Sequence, residues 1–396
     1  MATSTDTPNP AEQGSPRKRK AWLLGLLLLL IVAGACTWAW YALVGRWQVS
    51  TDDAYVNGNV VEITPLVTGT VTSIGADDGD LVHAGQVLLQ FDPADSEVAL
   101  QAAEANLART VRQVRGLYSN VDALKAQLQT RQAELQKAQQ NYNRRKVLAD
   151  SGAIAAEEIS HARDDLAVAQ AAVNSARQEL KTSSALVDDT QVSSHPEVMA
   201  AAAQLRQAFL DNARTTLVAP VTGYVAKRTV QLGQRLQPGT ATMAVIPLDQ
   251  VWIDANFKET QLRDMRIGQP VEITADLYGS DVKYSGTVDS LGAGTGSAFA
   301  LLPAQNATGN WIKIVQRVPV RIHINPDQLK DHPLRIGLST VTEVDLHDQS
   351  GPTLAQQPPQ QASFTTQVYD HQLAEADELI ARLIHMNSAA GKTAQR

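Results

Sequence analysis

Three stretches carry residue types that could do chemistry, and each lacks the spacing that the chemistry requires. The acidic run 77–80 (Asp-Asp-Gly-Asp) has no glutamate at the distance that closes a calcium loop, so it is interpreted as a polar hairpin turn. The glycine-rich run 292–296 lacks the Lys-Ser/Thr of a phosphate-binding loop. The single cysteine, Cys36, allows neither an internal disulfide nor a cysteine-based metal site. We therefore predict no catalytic, cofactor-binding or metal site and no enzyme activity.

The composition limits the classes of protein to which the chain can belong. With 396 residues it should contain more than one domain. A net charge of −7 argues against nucleic-acid binding, which needs a basic face. Alanine and glutamine are abundant in the middle third, which favours long helices there.

Two stretches 154 residues apart share glycines at the same spacing, as Gly69 and Gly223 do. Such glycines mark turns or close backbone approach between short strands. The three matched pairs are Gly69 with Gly223, Gly79 with Gly233 and Gly85 with Gly239. We predict two copies of one small β unit, residues 64–94 and 214–249, which pack together around an insertion at 95–213.

A heptad repeat fills this insertion and predicts a coiled-coil hairpin. The first seam consists of Leu100, Leu107, Val114, Val121, Leu128, Leu135, Tyr142 and Ala149, with Ala103, Thr110, Leu117, Leu124, Arg131 and Ala138 three residues later. The second consists of Ile159, Leu166, Val173, Leu180 and Val187, with Ala162, Ala169, Ala176 and Ser183 three residues later. Between the seams, residues 150–153 form a helix-ending turn with Gly152 at the C′ position.

The returning arm carries an interruption at residues 194–197 (Ser-His-Pro-Glu). A helix that restarts here would have Ser194 as N-cap and Pro196 in its first turn. Counted from Gly152, the interruption faces residues 116–119, so we expect a bend or a stutter near the base of the hairpin on both arms. His195 is expected to be a surface residue at the start of the helix.

Residues 21–45 contain no charged residue and are long enough to cross a bilayer as a helix. Tryptophans stand near both ends, and the basic residues 17–20 place the N-terminus in the cytoplasm. Residues 1–20 are then a disordered cytoplasmic tail, and Cys36 is a membrane residue without chemistry. The alternatives are a cleaved signal peptide or a lipoprotein signal that ends at Cys36.

The remaining segments are shorter. Residues 46–63 are predicted to form a strand that leads in from the membrane. Residues 250–346 predict an antiparallel barrel, with strands near 251–257, 271–275, 284–288, 311–315 and 318–322 and a short helix at 258–266. Residues 347–396 are a linker followed by an amphipathic segment, either a short helix or a disordered tail. Its apolar side holds Leu373, Ala376, Leu379 and Ile380.

The two β halves resemble those of a biotinyl or lipoyl carrier domain opened by a helical hairpin, the arrangement of the HlyD-type membrane fusion proteins. Residues 292–311 resemble the barrel loop of EmrA-type members of that family. A carrier attaches its cofactor to a lysine at the tip between the halves. Residues 21–124 contain no lysine and the hairpin occupies the tip, so the carrier function is excluded.

The resemblance implies a multi-domain α+β chain. It comprises an N-terminal transmembrane helix, a lipoyl-like β-sandwich split by a long α-helical coiled-coil hairpin, and a small antiparallel β-barrel. It also implies a single-pass inner-membrane protein whose bulk is periplasmic. Such a protein assembles into a ring and links a major-facilitator drug exporter to a TolC-like outer-membrane channel.

The hairpin tip would bind the channel through residues Arg144, Arg145, Leu148, Gly152 and Ile154. Family tips carry an Arg, a Leu four residues later and a Ser seven beyond that. Arg144 and Leu148 fit this pattern, but Ala155 stands at the serine position. A solvated helix end is the plainer interpretation of Arg144 and Arg145. For the whole chain, the alternatives are a type I secretion adaptor that serves an ABC exporter, or a structural coiled-coil spacer of the envelope.

Overall fold

A computed structural model describes Thr3, residues 16–299 and residues 315–389 of the chain. Most of the expected N-terminal tail and most of the expected strand at 311–315 lie outside the described residues, as does the second half of the EmrA-like loop. The chain divides into two compact units, Met1–Val60 with Ile246–Phe364 and Val61–Val245 with Thr365–Arg396. Each unit is described by itself.

Six α-helices and fourteen strands are numbered in chain order within the described residues. The helices are α1 Pro16–Trp40, α2 Ala94–Asp150, α3 Ala156–Ser184, α4 Pro196–Ala213, α5 Gln328–Asp331 and α6 Asp370–Ala389. The strands are β1 Gln48–Asn57, β2 Val61–Ile63, β3 Gly69–Ile74, β4 Leu81–Val82, β5 Val87–Phe91, β6 Thr216–Val218, β7 Gly223–Ala226, β8 Arg235–Leu236, β9 Met243–Ile246, β10 Trp252–Lys258, β11 Pro270–Ala275, β12 Lys283–Leu291, β13 Arg317–Ile324 and β14 Ser339–Asp345.

Helix α1 continues into a π-helical turn at Tyr41–Gly45. Among the described residues, Trp22–Leu43 is the one stretch long and apolar enough to span a bilayer, with 22 residues and a mean hydropathy of 2.2. Its leucines are more than half exposed, so they are not packed against any other part of the chain that the structure describes. This exposure fits a helix whose partner is lipid or another membrane protein.

The first unit contains a closed antiparallel barrel with the strand order β1-β10-β13-β12-β11-β14. Alternate residues of β10, namely Ile253, Ala255 and Phe257, are fully buried in its core. Strand β1 is not a separate connecting strand, because it pairs with both β10 and β14 and closes the barrel. The short helix expected at 258–266 is wrong: only a 3₁₀ turn, Glu259–Gln261, forms there.

The second unit contains a sandwich of two four-stranded sheets, ordered β2-β9-β7-β4 and β6-β5-β3-β8. Strands β3–β5 lie in the predicted first half, 64–94, and β6–β9 lie in the second, 214–249. Strand β2 comes just before residue 64, so the first repeat begins earlier than predicted, and each sheet mixes both repeats. Matching positions make matching contacts: Gly79 N–H donates to Val225 O, and Gly233 N–H donates to Val71 O, each at 2.9 Å. The sandwich therefore has an internal pseudo-two-fold symmetry.

The hairpin is inserted between β5 and β6. Helix α2 has 57 residues and is about 85 Å long. Most of the least exposed residues of α2 and α3 follow the two heptad seams, among them Leu107, Val114, Val173 and Ala176. Val111 is also fully buried but lies outside the first seam, in a cluster shared with α4 and α6. Arg131 is the exception, since its position in the seam is exposed. The coiled-coil hairpin and the α+β fold class are confirmed.

A third helix completes the root of the hairpin, the segment nearest the sandwich. Helix α6 packs on α2 and α4, and Ile380 shares a buried cluster with Leu107, Val198 and Leu205. Its polar contacts include the ion pair between Arg206 and Asp377, 2.5 Å apart. The C-terminal segment thus contains a helix, one of the two predicted alternatives; of its apolar side, Ala376 and Ile380 are buried whereas Leu373 remains 53% exposed.

Candidate partner-binding site at the hairpin tip

The tip is a tight turn that joins α2 to α3. Gly152 adopts φ +76°, and its N–H donates to the carbonyl oxygen of Ala149 at 2.9 Å. The N–H of Ala153 donates to the carbonyl oxygen of Leu148, also at 2.9 Å. These two bonds form a Schellman motif, in which a residue without a Cβ terminates the helix at no steric cost. Gly152 therefore shapes the turn.

Two further predicted tip residues also hold the turn together. The guanidinium of Arg145 donates to the carbonyl oxygen of Glu158 at 3.3 Å and so bridges α2 and α3. Ile154 is half-buried and occupies the N′ position of α3, the place from which an apolar residue can pack on Ile159 at N4. These contacts give Arg145 and Ile154 a structural task.

Arg144 and Leu148 lie on one face of the last turns of α2, because residues four apart are neighbours on a helix. Arg144 is exposed, and Leu148 is 42% exposed. Val147, which the sequence analysis did not select, lies on the same face and is 69% exposed. A cation beside two exposed aliphatic side chains is a surface that a partner can cover.

The start of α3 lacks a capping side chain. Ala155 is its N-cap, with φ −71° and ψ 149°, and no side-chain oxygen accepts a hydrogen bond from the first turn. Serine would supply that oxygen, so the departure from the family pattern falls on a position with a direct structural effect. Glu157 and Glu158 in the first turn partly compensate, because negative charge is favourable at a helix N-terminus.

The interruption in the returning arm faces Tyr118, as the sequence predicts, and the Tyr118 hydroxyl lies 2.8 Å from Thr190 Oγ1. The outgoing arm is one continuous helix, α2. Two details of the prediction are wrong: the N-cap of α4 is His195 rather than Ser194, and this side chain is only 6% exposed. Its ring bridges the interruption, with Nδ1 3.3 Å from Glu197 N and Nε2 3.0 Å from Leu186 O.

The six glycines selected in the sandwich fall into two groups. Gly79, Gly85, Gly233 and Gly239 have φ between +77° and +91°. Gly69 begins β3, where a Cβ would lie 2.7 Å from Phe91, and Gly223 is buried at the start of β7. All six lie away from the hairpin tip in sequence and shape the sandwich alone.

The acidic run at 77–80 is a turn stabilised by an arginine of the second repeat. Arg228 Nε donates to Asp77 Oδ1 at 2.7 Å, and Arg228 N–H donates to Asp78 Oδ1 at 2.7 Å. The hydrogen bond from Arg228 holds the pKa of the Asp77 carboxyl below its usual value. In the described part of the chain, no group of three or more His, Cys, Asp or Glu residues could hold a metal ion.

Comparison with protein families matches two segments of the chain. Residues 94–215 match the family model described as "EMRA, alpha-helical hairpin domain". Residues 250–345 match the model described as "AAEA-like beta-barrel domain". The first segment begins with α2 and ends just after α4, and the second covers the barrel strands from β10 to β14.

Three curated proteins are similar over most of the chain. The "Multidrug export protein EmrA" of Escherichia coli (strain K12) is 43% identical over 384 residues, 97% of this chain and 98% of that protein. The protein of the same name from Haemophilus influenzae is 40% identical over 98% of this chain and 100% of its own length. The "Fatty acid resistance protein FarA" of Neisseria gonorrhoeae is 46% identical over 87% of each chain.

Proposed function

This chain belongs to the EmrA family of multidrug export proteins, and from that premise we propose that it links an inner-membrane major-facilitator exporter to a TolC-like outer-membrane channel. The observation that carries the proposal is the 43% identity to a multidrug export protein over 97% of the chain. The proposed role is mechanical and non-enzymatic: the adaptor holds two transport proteins in register while drugs or other xenobiotics pass.

Helix α1 anchors the adaptor in the inner membrane beside its exporter. Arg17, Lys18, Arg19 and Lys20 precede the apolar stretch and keep the N-terminus in the cytoplasm, so the sandwich, hairpin and barrel are periplasmic. Deletion of residues 21–45 should release a soluble, folded protein, which fractionation and circular dichroism would detect. A deletion product that cannot fold would contradict a simple anchor.

The hairpin supplies the reach that the role requires. A continuous helix of about 85 Å carries the hairpin tip far from the sandwich. Several copies form a ring around the transport path, with the hairpins side by side. Their tips meet the channel through Arg144, Val147 and Leu148, the exposed face of the turn.

A paired substitution tests the tip. Val147→Asp with Leu148→Asp places two charges on the exposed apolar face and changes side chains only, so the two backbone hydrogen bonds of the Schellman turn are kept. Resistance in a channel-dependent strain should be lost, whereas membrane insertion and protein amount should not change. Ile154→Asp is less suitable because Ile154 is half-buried, so a charge there could disturb the turn itself.

Val168→Asp is the matched control, because Val168 is 71% exposed on α3 and lies away from the tip in sequence. This variant should retain resistance. If the tip double variant retained resistance as well, the tip would not be the channel-binding site.

A further inference from the structure

The two repeats of the sandwich have the same backbone arrangement but different surfaces at one pair of matched positions. In the sheet β2-β9-β7-β4, Leu81 lies opposite Tyr224. In the sheet β6-β5-β3-β8, the equivalent positions place Thr70 opposite Arg235. We call these the apolar pair and the polar pair.

Both pairs point away from the core. Their chain neighbours Val82, Val225, Val71 and Leu236 are at most 3% exposed. Because alternate residues of a strand face opposite sides of the sheet, the pairs lie on the outer surfaces of the two sheets. Leu81 is 49% exposed and Tyr224 is 42% exposed, so the described residues leave much of the apolar pair open to solvent.

The polar pair is chemically complementary to the apolar pair. Arg235 is exposed, and its guanidinium makes no hydrogen bond or ion pair with any described residue. A guanidinium over the face of a tyrosine ring is favourable, because the ring quadrupole attracts the cation. The same kind of contact occurs within the barrel, where the Arg321 guanidinium lies 3.9 Å from the centre of the Trp252 ring.

From this difference we propose that the sandwich is a head-to-tail assembly unit. The apolar pair of one copy, Leu81 and Tyr224, packs on the polar pair of the next copy, Thr70 and Arg235. A contact between two different surfaces generates a ring or a filament, whereas a two-fold dimer would bury the same surface on both copies. The proposal rests on the ring of the proposed function and assigns the surfaces that form it.

Paired cysteines distinguish the two geometries. In a Cys36→Ser background, full-length chain in detergent carrying Leu81→Cys and Arg235→Cys should form a ladder of disulfide-linked oligomers larger than a dimer on mild oxidation. Each single variant should give at least tenfold less cross-linked product. A disulfide within one copy is excluded, because the sheets are about 10 Å apart and the two side chains point away from each other.

Leu81→Cys with Gln90→Cys is the control, because Gln90 is exposed on the same sheet as Arg235 but lies on β5, two strands away. It should give no ladder. A dimer from Leu81→Cys alone would show two-fold pairing and overturn the proposal.

The mass of the Cys36→Ser parent in detergent tests whether a ring forms, separately from which surfaces form it. An oligomeric parent without a ladder from Leu81→Cys with Arg235→Cys would reject these surfaces and leave the ring in place. A parent that stays monomeric at every concentration tested would reject both the surfaces and the ring.

Discussion

Ile380 is the side chain by which the docking of α6 on the hairpin root can be measured. It is 7% exposed and packs in the cluster that contains Leu107, Val198 and Leu205. Replacing a core isoleucine with alanine costs about 2–5 kcal/mol. We expect the lower part of that range, about 2–3 kcal/mol, because a terminal helix at the surface can relax into part of the space.

Hydrogen exchange measured by mass spectrometry on the full-length chain is the suitable assay, because local opening can be followed without unfolding the other unit. A loss of 2–3 kcal/mol corresponds to exchange of α6 amides that is faster by about 30- to 150-fold. The facing amides of α4 should also exchange faster, since α6 covers Val198 and Leu205.

Leu373→Ala is the matched control on the same helix. Leu373 is 53% exposed, so its truncation should cost no more than about 0.5 kcal/mol. Equal effects of Ile380→Ala and Leu373→Ala would refute the packing described for the root. An effect of Ile380→Ala confined to α6, with α4 unchanged, would show that the third helix does not support the arm.

Three further predictions concern single positions. Ala155→Ser should stabilise the first turn of α3 by about 0.5–2 kcal/mol and slow its amide exchange, whereas Ala156→Ser, one residue inside the helix, should not. Thr342→Val should slow exchange of β14 about fivefold, because the buried Thr342 hydroxyl has no hydrogen-bond partner among the described residues; faster exchange would contradict this. Burial raises the pKa of the Tyr284 phenol to about 12, so its contribution to stability is full below about pH 10 and is lost as the pH rises through about 12. The phenolate absorbance of the parent minus that of Tyr284→Phe should titrate accordingly, and a midpoint near 10 would refute the burial effect.

Local and periodic signals made much of this fold predictable. The heptad seams predicted the hairpin because apolar positions every seven residues can be buried only against another helix. The glycine spacing predicted the paired β units because a left-handed turn residue such as Gly79 or Gly233 has few substitutes. Gly152 predicted the tip for the same reason.

Features that depend on distant contacts were not predictable. Strand β1 pairs with β10 and β14, which lie far along the chain, and nothing in the sequence of β1 indicates which strands it pairs with. The amphipathic pattern of α6 was visible, but its acceptor groove lies on α2 and α4. His195 is buried because its ring bridges to Leu186. No local sequence pattern reveals this contact, so the sequence analysis placed His195 at the surface. Val147 was missed because an apolar residue near a helix end usually has no special role.

The exchange of strands between repeats has a consequence for biogenesis. Neither sheet of the sandwich can be completed from the first repeat alone. Strands β3 and β5 pair with each other, but their outer neighbours are β8 and β6, and β2 and β4 pair with β9 and β7 of the second repeat. During synthesis the first repeat must therefore wait, with open strand edges, until the entire arm and the second repeat have emerged. The arm contains mainly local contacts and can fold meanwhile, which brings Phe91 and Thr216 together. In this order of events the folded coiled coil brings the two repeats together and so allows the sandwich to form. The unpaired strand edges of the first repeat are exposed for as long as the arm is incomplete, and this is when a chaperone would be needed most.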